Sequence, residues 1–457
     1  MDLLLAHGYF IDEDPKERQV MRPHPPLGLL YLSSHLKAKG FDVGVFDGTF
    51  QRGEAFMETL LRERPSVVGF SCNLMTKRRV LGLMREARAQ GARVVVGGPD
   101  PPHYAEEYLD CGADAVVLGE GERTMEELLR RLLEQGGMAD VQGIVYRDGD
   151  GHVVRTPPRP LIEDLDGQPF PDRAAADIPQ YLRAWRAAHG FGSVSLICAR
   201  GCPYTCAWCS RSVFGETHRR RSPQNVAEEV AGIVQDYRPD ALWYADDVFT
   251  IQHRWLFDYA KIMEQKGLHV PFECISRADR LNEAVVRTLA EMGCQRLWIG
   301  SESGSQRVLD AMDRRVKVGQ VREMTHLLRR YGIQTGMFLM LGYEEEEMAD
   351  LEATVDHLKA ASPDLFLTTV AYPIKGTPYY DRVRDRVVAR GAWAERTDRD
   401  LEVAGRRSRR FYSFAARWMA GEVAVHRQRQ NQRRSLIRLA KGWINAKVGR
   451  MGMRLSS

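Results

Sequence analysis

Three cysteines carry the chemistry most open to argument. Cys202-Pro-Tyr-Thr-Cys206-Ala-Trp-Cys209 puts them within eight residues of a 457-residue chain that has eight cysteines in all. Clustered cysteines in a long chain point to metal or redox chemistry rather than to a disulfide framework. Three thiolates on one short loop can each hold one iron of a 4Fe–4S cluster. Full thiolate ligation takes four, so three leave one iron open to another ligand. A structural zinc site would need a fourth sulfur, for which Cys198 is the candidate. Its spacing, C-x-x-x-C-x-x-x-C with Cys202 and Cys206, reads instead as a strand residue beside the loop. Cys72, Cys111, Cys274 and Cys294 are isolated in sequence, and a small buried hydrophobe is the expected role of each.

A second group of residues recurs at the ends of apolar runs. LWYADD closes on Asp246 and Asp247, FECIS on Ser276 followed by Arg277, and LWIGSESGS on Glu302 and Ser303. GMFLMLG closes on Gly342 and Tyr343, and LTTVAYPIKGTP on Tyr372, Pro373 and Lys375. In sheets built from βα units, polar residues at the carboxyl ends of strands form the active site. Carboxylates accept hydrogen bonds from ammonium or hydroxyl groups, and arginine grips a carboxylate with two parallel bonds.

The elements that must position these residues follow from hydrophobic patterning. Before residue 125, strands are predicted at 2–6, 42–47, 66–71, 93–96 and 115–118, with helical patterns at 27–39, 53–64, 77–90 and 103–110. That order predicts an α/β domain, an open parallel sheet over residues 1–139. GIVYRDGDGHVVRT turns at Asp148–Gly151, and six prolines between 157 and 179 predict that 140–190 is a hairpin and linker. A second series has strands at 193–199, 241–246, 271–276, 296–302, 335–341 and 365–373, which predicts a partial (βα)6 barrel over 191–385. Residues 386–457 read as a helical region.

Composition is that of a globular protein, 44% hydrophobic and 28% charged. The start, MDLLLAHGYF, lacks a basic segment and predicts no secretory signal, so a cytoplasmic location is expected. The net charge of +4 is unevenly placed. Residues 425–457 hold nine Lys or Arg and no acid, leaving the body mildly acidic. Ile437, Ala440, Ile444, Val448, Met451 and Leu455 fall on one helical face. Arg433, Arg434, Arg438, Lys441, Lys447, Arg450 and Arg454 mostly occupy the rest. Such a helix either caps the barrel or makes peripheral contact with an anionic membrane. The acidic body and the lack of a stacking-aromatic module argue against nucleic acid.

The cysteine loop, with aromatic Trp208 before the third cysteine, resembles the C-x-x-x-C-x-aromatic-C motif of the radical S-adenosylmethionine superfamily. The resemblance implies a 4Fe–4S cluster held by Cys202, Cys206 and Cys209, with S-adenosylmethionine on the open iron. It also implies reductive cleavage of the sulfonium to a 5′-deoxyadenosyl radical. Trp208, Asp246, Asp247, Ser276, Arg277, Glu302, Ser303, Gly342 and Tyr372 then correspond to S-adenosylmethionine contacts. The Asp pair looks like the amine segment, Ser276 and Arg277 like carboxylate contacts, and Glu302 like the ribose contact. One departure stands out. Relatives carry G-x-P-G-E after strand five, whereas this chain reads Gly342-Tyr343-Glu344-Glu345-Glu346, and losing Pro and Gly removes a preset turn.

A parallel sheet, a linker and then this loop resembles the cobalamin-binding class of that superfamily, on PPLGLLYLSSHLKAKG, VGFSCN, VVVGGP and VVLGEGERT. Ser71, Asn73, Gly97, Gly98, Gly119 and Glu120 are the implied cobalamin contacts. The D-x-H-x-x-G motif that supplies a cobalt ligand in many cobalamin proteins is absent; His7 and His24 are the only nearby histidines. CAWCSRSVFG, RRRSPQNVAEEV and LWYADDVF resemble the branch that contains the anaerobic magnesium-protoporphyrin monomethyl ester cyclase, near the P-methyltransferases. The expected reaction is cobalamin-dependent methylation of an unactivated carbon in a small-molecule or lipid substrate, fed by an electron donor such as flavodoxin or ferredoxin. An oxidative cyclisation or rearrangement without methyl transfer is the second expectation. A cobalamin-binding sensor with a silent barrel is the third.

Overall fold

A computed structural model describes residues 1–430 and 435–456. Packing divides the chain into two units. The first comprises Met1–Pro203, Ser210–Trp243 and Arg390–Asp400; the second comprises Tyr204–Cys209, Tyr244–Ala389 and Leu401–Ser457.

The first unit is built on a sheet of β1 (Leu3–His7), β2 (Val43–Asp47), β3 (Val67–Ser71), β4 (Arg93–Gly97), β5 (Ala115–Val117), β6 (Ile144–Arg147) and β7 (Val153–Arg155). Its order is β2-β1-β3-β4-β5-β6-β7. The first five strands are parallel, with Leu3 opposite both Val43 and Val67. Alternation along each strand fills two cores. Leu4, Val68, Val94 and Val116 meet Val80, Leu83 and Met84 on one face. Leu3, Leu5, Val67 and Val95 meet Leu29, Leu36 and Leu128 on the other. Each such buried aliphatic side chain contributes roughly 1.5–3 kcal/mol.

The expected hairpin forms between β6 and β7, and residues 140–190 hold more than a hairpin and linker. The hairpin belongs to the sheet: Val116 pairs antiparallel with Val145, because Ile144, Val145 and Tyr146 are apolar enough to be buried there. The proline-rich stretch also ends in a helix, Ile178–His189, capped by the Asp177 carboxylate. Pro179 sits in its first turn, where the missing N–H costs nothing. A helix at Gly121–Leu133, not foreseen from the pattern, follows the Gly-Glu-Gly-Glu turn.

All six strands of the second series form: β8 (Ser193–Leu196), then, past the short β9 (Ala199–Arg200) and β10 (Arg219–Arg220), β11 (Ala241–Tyr244), β12 (Phe272–Ser276), β13 (Cys294–Glu302), β14 (Gln334–Leu341) and β15 (Leu365–Val370). In the second unit β12 through β15 run parallel in sequence order. The register slips between Gly300 and Glu302, so β13 bulges where its functional carboxylate projects.

The C-terminal region is helical as expected. Arg409–Gln430 packs on Leu341, Leu351 and Val355 through Phe411, Ala415 and Met419. Leu436–Leu455 packs on that helix through Gly442, Ala446, Gly449 and Met453. The predicted apolar face points away from this contact: Ile437, Ala440, Ile444, Val448, Met451 and Leu455 are exposed. Arg433 and Arg434 lie outside the described residues. Among the described residues no helix is long and apolar enough to cross a membrane.

Candidate cluster site and cobalamin cavity

Among the described residues none of the three loop cysteines is in a disulfide; Cys206 is buried, and Cys202 and Cys209 are half-buried. The unit boundary falls inside the loop, after Pro203. In the second unit the loop is fixed by its own backbone: the Ala207 N–H donates to the Met312 carbonyl at 3.0 Å and the Tyr379 N–H to the Ala207 carbonyl at 2.8 Å. The Cys209 N–H donates to the Cys206 carbonyl at 3.1 Å. The Thr205 hydroxyl donates to Asp313 at 2.7 Å. Trp208 packs on an apolar cluster with Met312, Tyr343 and Tyr379, and among the described residues its indole N–H has no hydrogen-bond partner.

Two buried guanidinium groups converge on the Cys206 sulfur. Arg277, at the end of β12, donates from Nη1 at 3.7 Å, and Arg314 donates from Nη1 at 3.5 Å. Both are held from behind. Arg277 donates to Asp279 at 2.8 Å and to the Arg314 carbonyl at 2.8 Å, and the Tyr204 ring stacks 3.7 Å from its carbon. Arg314 donates to the Gly300 carbonyl at 2.8 Å and faces Glu302 with 3.8 Å between Nε and the carboxylate. Glu302 sits at φ 60°, a left-handed conformation that non-glycine residues seldom adopt and that clusters at functional sites. Burial pushes its carboxyl up to about 6, although Arg314 and Arg277 pull the other way. This donor set fits an iron–sulfur cluster: thiolates carry net negative charge, and fixed cations nearby offset it.

The other predicted contacts are placed as follows. Asp246 is buried and Asp247 exposed at the end of β11. The Ser276 hydroxyl pairs with Thr250 at 2.5 Å. Ser303 is turned toward Thr354, at 3.2 Å, and accepts the Ser305 N–H. Tyr372 is half-buried just beyond β15. Gly342 packs under the Tyr412 ring, where a Cβ would come within 2.6 Å. The turn that the Glu344-Glu345 pair seemed to forfeit is present. The Glu346 N–H closes it on the Tyr343 carbonyl at 3.0 Å, and Glu345 takes φ 57° in it. The residues brought together are thus Cys206, Arg277 and Glu302, joined by Arg314. Nothing in MDRRVK separates Arg314 from its neighbour Arg315, because burial, which distinguishes them, is a tertiary property.

In the first unit a cavity opens at the carboxyl ends of the parallel strands. Ser71, Gly97, Gly98, Gly119 and Glu120 line it, together with Tyr31, Phe214 and Arg200. Gly98 has φ 104°, and a Cβ there would meet the Cys72 carbonyl at 2.6 Å, so only glycine lets the backbone pass. Apolar walls with bare backbone at the strand ends fit a large nucleotide-tailed cofactor such as cobalamin. Asn73 does not reach the cavity; its carboxamide accepts the Met75 and Thr76 N–H groups. Glu120 lines the cavity but is committed elsewhere. It accepts from Arg200 at 2.8 Å, Arg219 at 2.9 Å and the Ile162 N–H at 2.7 Å, while Arg200 also donates to Glu122 at 2.6 Å. No histidine lines the cavity among the described residues. His24 is packed between Trp185 and Trp243, and burial lowers its pKa to about 4; His7 lies beside Asp47 at 3.8 Å.

Comparison with known proteins agrees with this division. Residues 19–129 match the B12 binding domain, and residues 196–358 match the radical SAM superfamily. The chain is 28% identical to an uncharacterized methyltransferase of Pyrococcus horikoshii, over 81% of this chain and 80% of that one. It is 26% identical to the anaerobic magnesium-protoporphyrin IX monomethyl ester cyclase of Rubrivivax gelatinosus, over 79% and 67%. Its fold matches the radical S-adenosylmethionine methyltransferase TsrM from Kitasatospora setae, solved with cobalamin and a [4Fe-4S] cluster, with a TM-score of 0.69 at 21% identity over 84% and 75%. The chain thus joins a B12-binding domain, with its glycine-lined cavity, to a radical S-adenosylmethionine domain, with an intact cysteine loop, and is similar in both to the cobalamin-binding radical S-adenosylmethionine enzymes.

Proposed function

We propose that the protein methylates an unactivated carbon of a small-molecule or lipid substrate. The observation that carries the reading is Cys206 held between Arg277 and Arg314, in a chain that also contains the glycine-lined cavity. When bound, the cluster and S-adenosylmethionine supply a one-electron cleavage that yields a 5′-deoxyadenosyl radical, and cobalamin supplies a carrier for the methyl group.

The chain's own residues do the rest. Arg277 and Arg314 offset the charge of the thiolates, and their burial keeps water from the sulfur. Glu302, protonated below about pH 6 and ionised above it, presents an acceptor for a ribose hydroxyl. Gly97 and Gly98 admit the cofactor's tail to the strand ends. A low-potential donor such as flavodoxin or ferredoxin and a cytoplasmic, oxygen-poor setting belong to the same reading, since an iron with an open coordination position is vulnerable to oxygen.

Anoxically loaded protein should convert S-adenosylmethionine to 5′-deoxyadenosine, and Cys206→Ala should abolish it. Preparations that carry one tightly bound zinc and no iron would end the proposal. The similarity to the cyclase favours a second reading, oxidative ring closure. Methyl-labelled S-adenosylmethionine separates the two: label enters the product only in methylation.

A further inference from the structure

The Leu436–Leu455 helix meets the Arg409–Gln430 helix along one side only. That side is made of Gly442, Ala446, Gly449 and Gly452, closed by Met453. A Cβ on Gly421 would strike the Ala446 nitrogen at 2.3 Å, and one on Gly449 the Trp418 nitrogen at 2.5 Å. The two backbones therefore come into close contact, and apart from the buried Met453 and the half-buried Leu439 the larger apolar side chains of the last helix are left on its outer side.

Those side chains form a continuous strip. Ile437 and Leu455 are 82% exposed, Met451 65% and Ile444 51%, with Leu436 and Trp443 alongside. At 1.5 Å per residue the strip runs for roughly 28 Å. Scattered apolar residues on a surface are ordinary, but a strip this long marks an interaction site. Exposed cations border it on both sides: Lys447 and Arg454 along one edge, Arg438 and Lys441 along the other. No acidic residue occurs from 425 to 457.

We propose that this helix lies in the plane of a bilayer rich in anionic headgroups, with the strip in the acyl boundary. The charge pattern decides the occupant. A second copy docking strip to strip would bring two cation rows together with no carboxylate between them. An anionic surface neutralises both rows at once, while the long Lys and Arg stems follow the apolar face and keep their charges at headgroup level. The strip is also convex, which suits a planar surface better than a side-chain pocket. Trp443, with Lys447 near its ring at 5.6 Å, is the amphipathic residue such an interface favours. This inference stands apart from the catalytic reading, since none of these residues belongs to the cluster site or the cavity.

The test is flotation of the full-length, cofactor-loaded protein with phosphatidylglycerol–phosphatidylcholine vesicles and with phosphatidylcholine vesicles alone. Binding is expected to the anionic vesicles at low salt. It should fall by about fivefold for each of Lys441, Lys447 and Arg454 changed to Gln. It should fall by roughly tenfold or more in I444E/M451E. Both sets of residues are exposed, so the variants should keep the parent's melting temperature and 5′-deoxyadenosine formation in solution. Failure to float with anionic vesicles, or binding indifferent to headgroup charge or to I444E/M451E, would overturn the proposal. So would a dimer on size exclusion that I444E/M451E converts to monomer, which would assign the strip to a second copy.

Discussion

The Arg314 guanidinium spans Cys206 and Glu302: Nη1 lies 3.5 Å from the sulfur and Nε 3.8 Å from the carboxylate. One buried cation thus serves a candidate cluster ligand and a candidate ribose contact. Replacing it with Gln should keep a hydrogen bond to the sulfur but remove the charge. The reconstituted cluster is then expected to reduce at a potential several tens of millivolts more negative, read by titration with electron paramagnetic resonance. An unchanged potential would reduce Arg314 to a packing role.

Glu346 offers a pH test away from the cluster. Burial raises its carboxyl to about 8, although it accepts the Gly342 N–H at 2.6 Å. A carboxyl with a raised folded pKa contributes no penalty below its unfolded value, near 4.5. It costs stability progressively as pH rises from there through 8. Glu346→Gln should therefore raise the melting temperature of the apoprotein at pH 8.5 by several degrees while changing it little at pH 4.5. An equal change at both values would contradict the linkage.

Glu345 sits in the left-handed conformation, at φ 57°. A left-handed non-glycine residue costs about 1–2 kcal/mol. Glu345→Gly should recover about 1 kcal/mol after its larger unfolded-state entropy, whereas Glu345→Ala should recover none. Melting curves of the two variants decide it.

Gly98→Ala makes the opposite prediction. With φ 104° and the Cys72 carbonyl in the way, a methyl group forces the loop to shift. We expect a loss of about 2 kcal/mol in stability. Cobalamin retained through gel filtration, measured by its visible absorbance, should fall well below that of the parent.

Glu120 anchors Arg200 and Arg219 in the interior of the first unit. Glu120→Ala would leave the buried Arg219 without its carboxylate and Arg200 with Glu122 alone, and breaking such a network costs about 3–5 kcal/mol. Chemical denaturation of the apoprotein should show that loss. A change within error would mean that water reaches the arginines.

Features that depend on residue type and local spacing could be read from the residues in order. The cysteine triplet, the alternation that makes β1 through β5 and the glycines at their ends are all of this kind. So are the polar residues at the ends of the later strands, whose positions agree with the predicted ones to within a few residues. Strand and helix periods report local burial, and local burial is written in consecutive residues. Tertiary structure alone decided the rest. The 144–155 hairpin could not be assigned to the sheet, because pairing with β5 depends on which edge is free. Asn73 and Arg314 exchanged standing for a similar reason: one is spent on its own turn and the other is buried against Cys206, and neither fate is visible in their neighbours. The last helix shows the same limit. Its apolar face was legible, but whether that face turned inward depended on the small residues of its other side, which let two backbones meet and left the larger side chains outside.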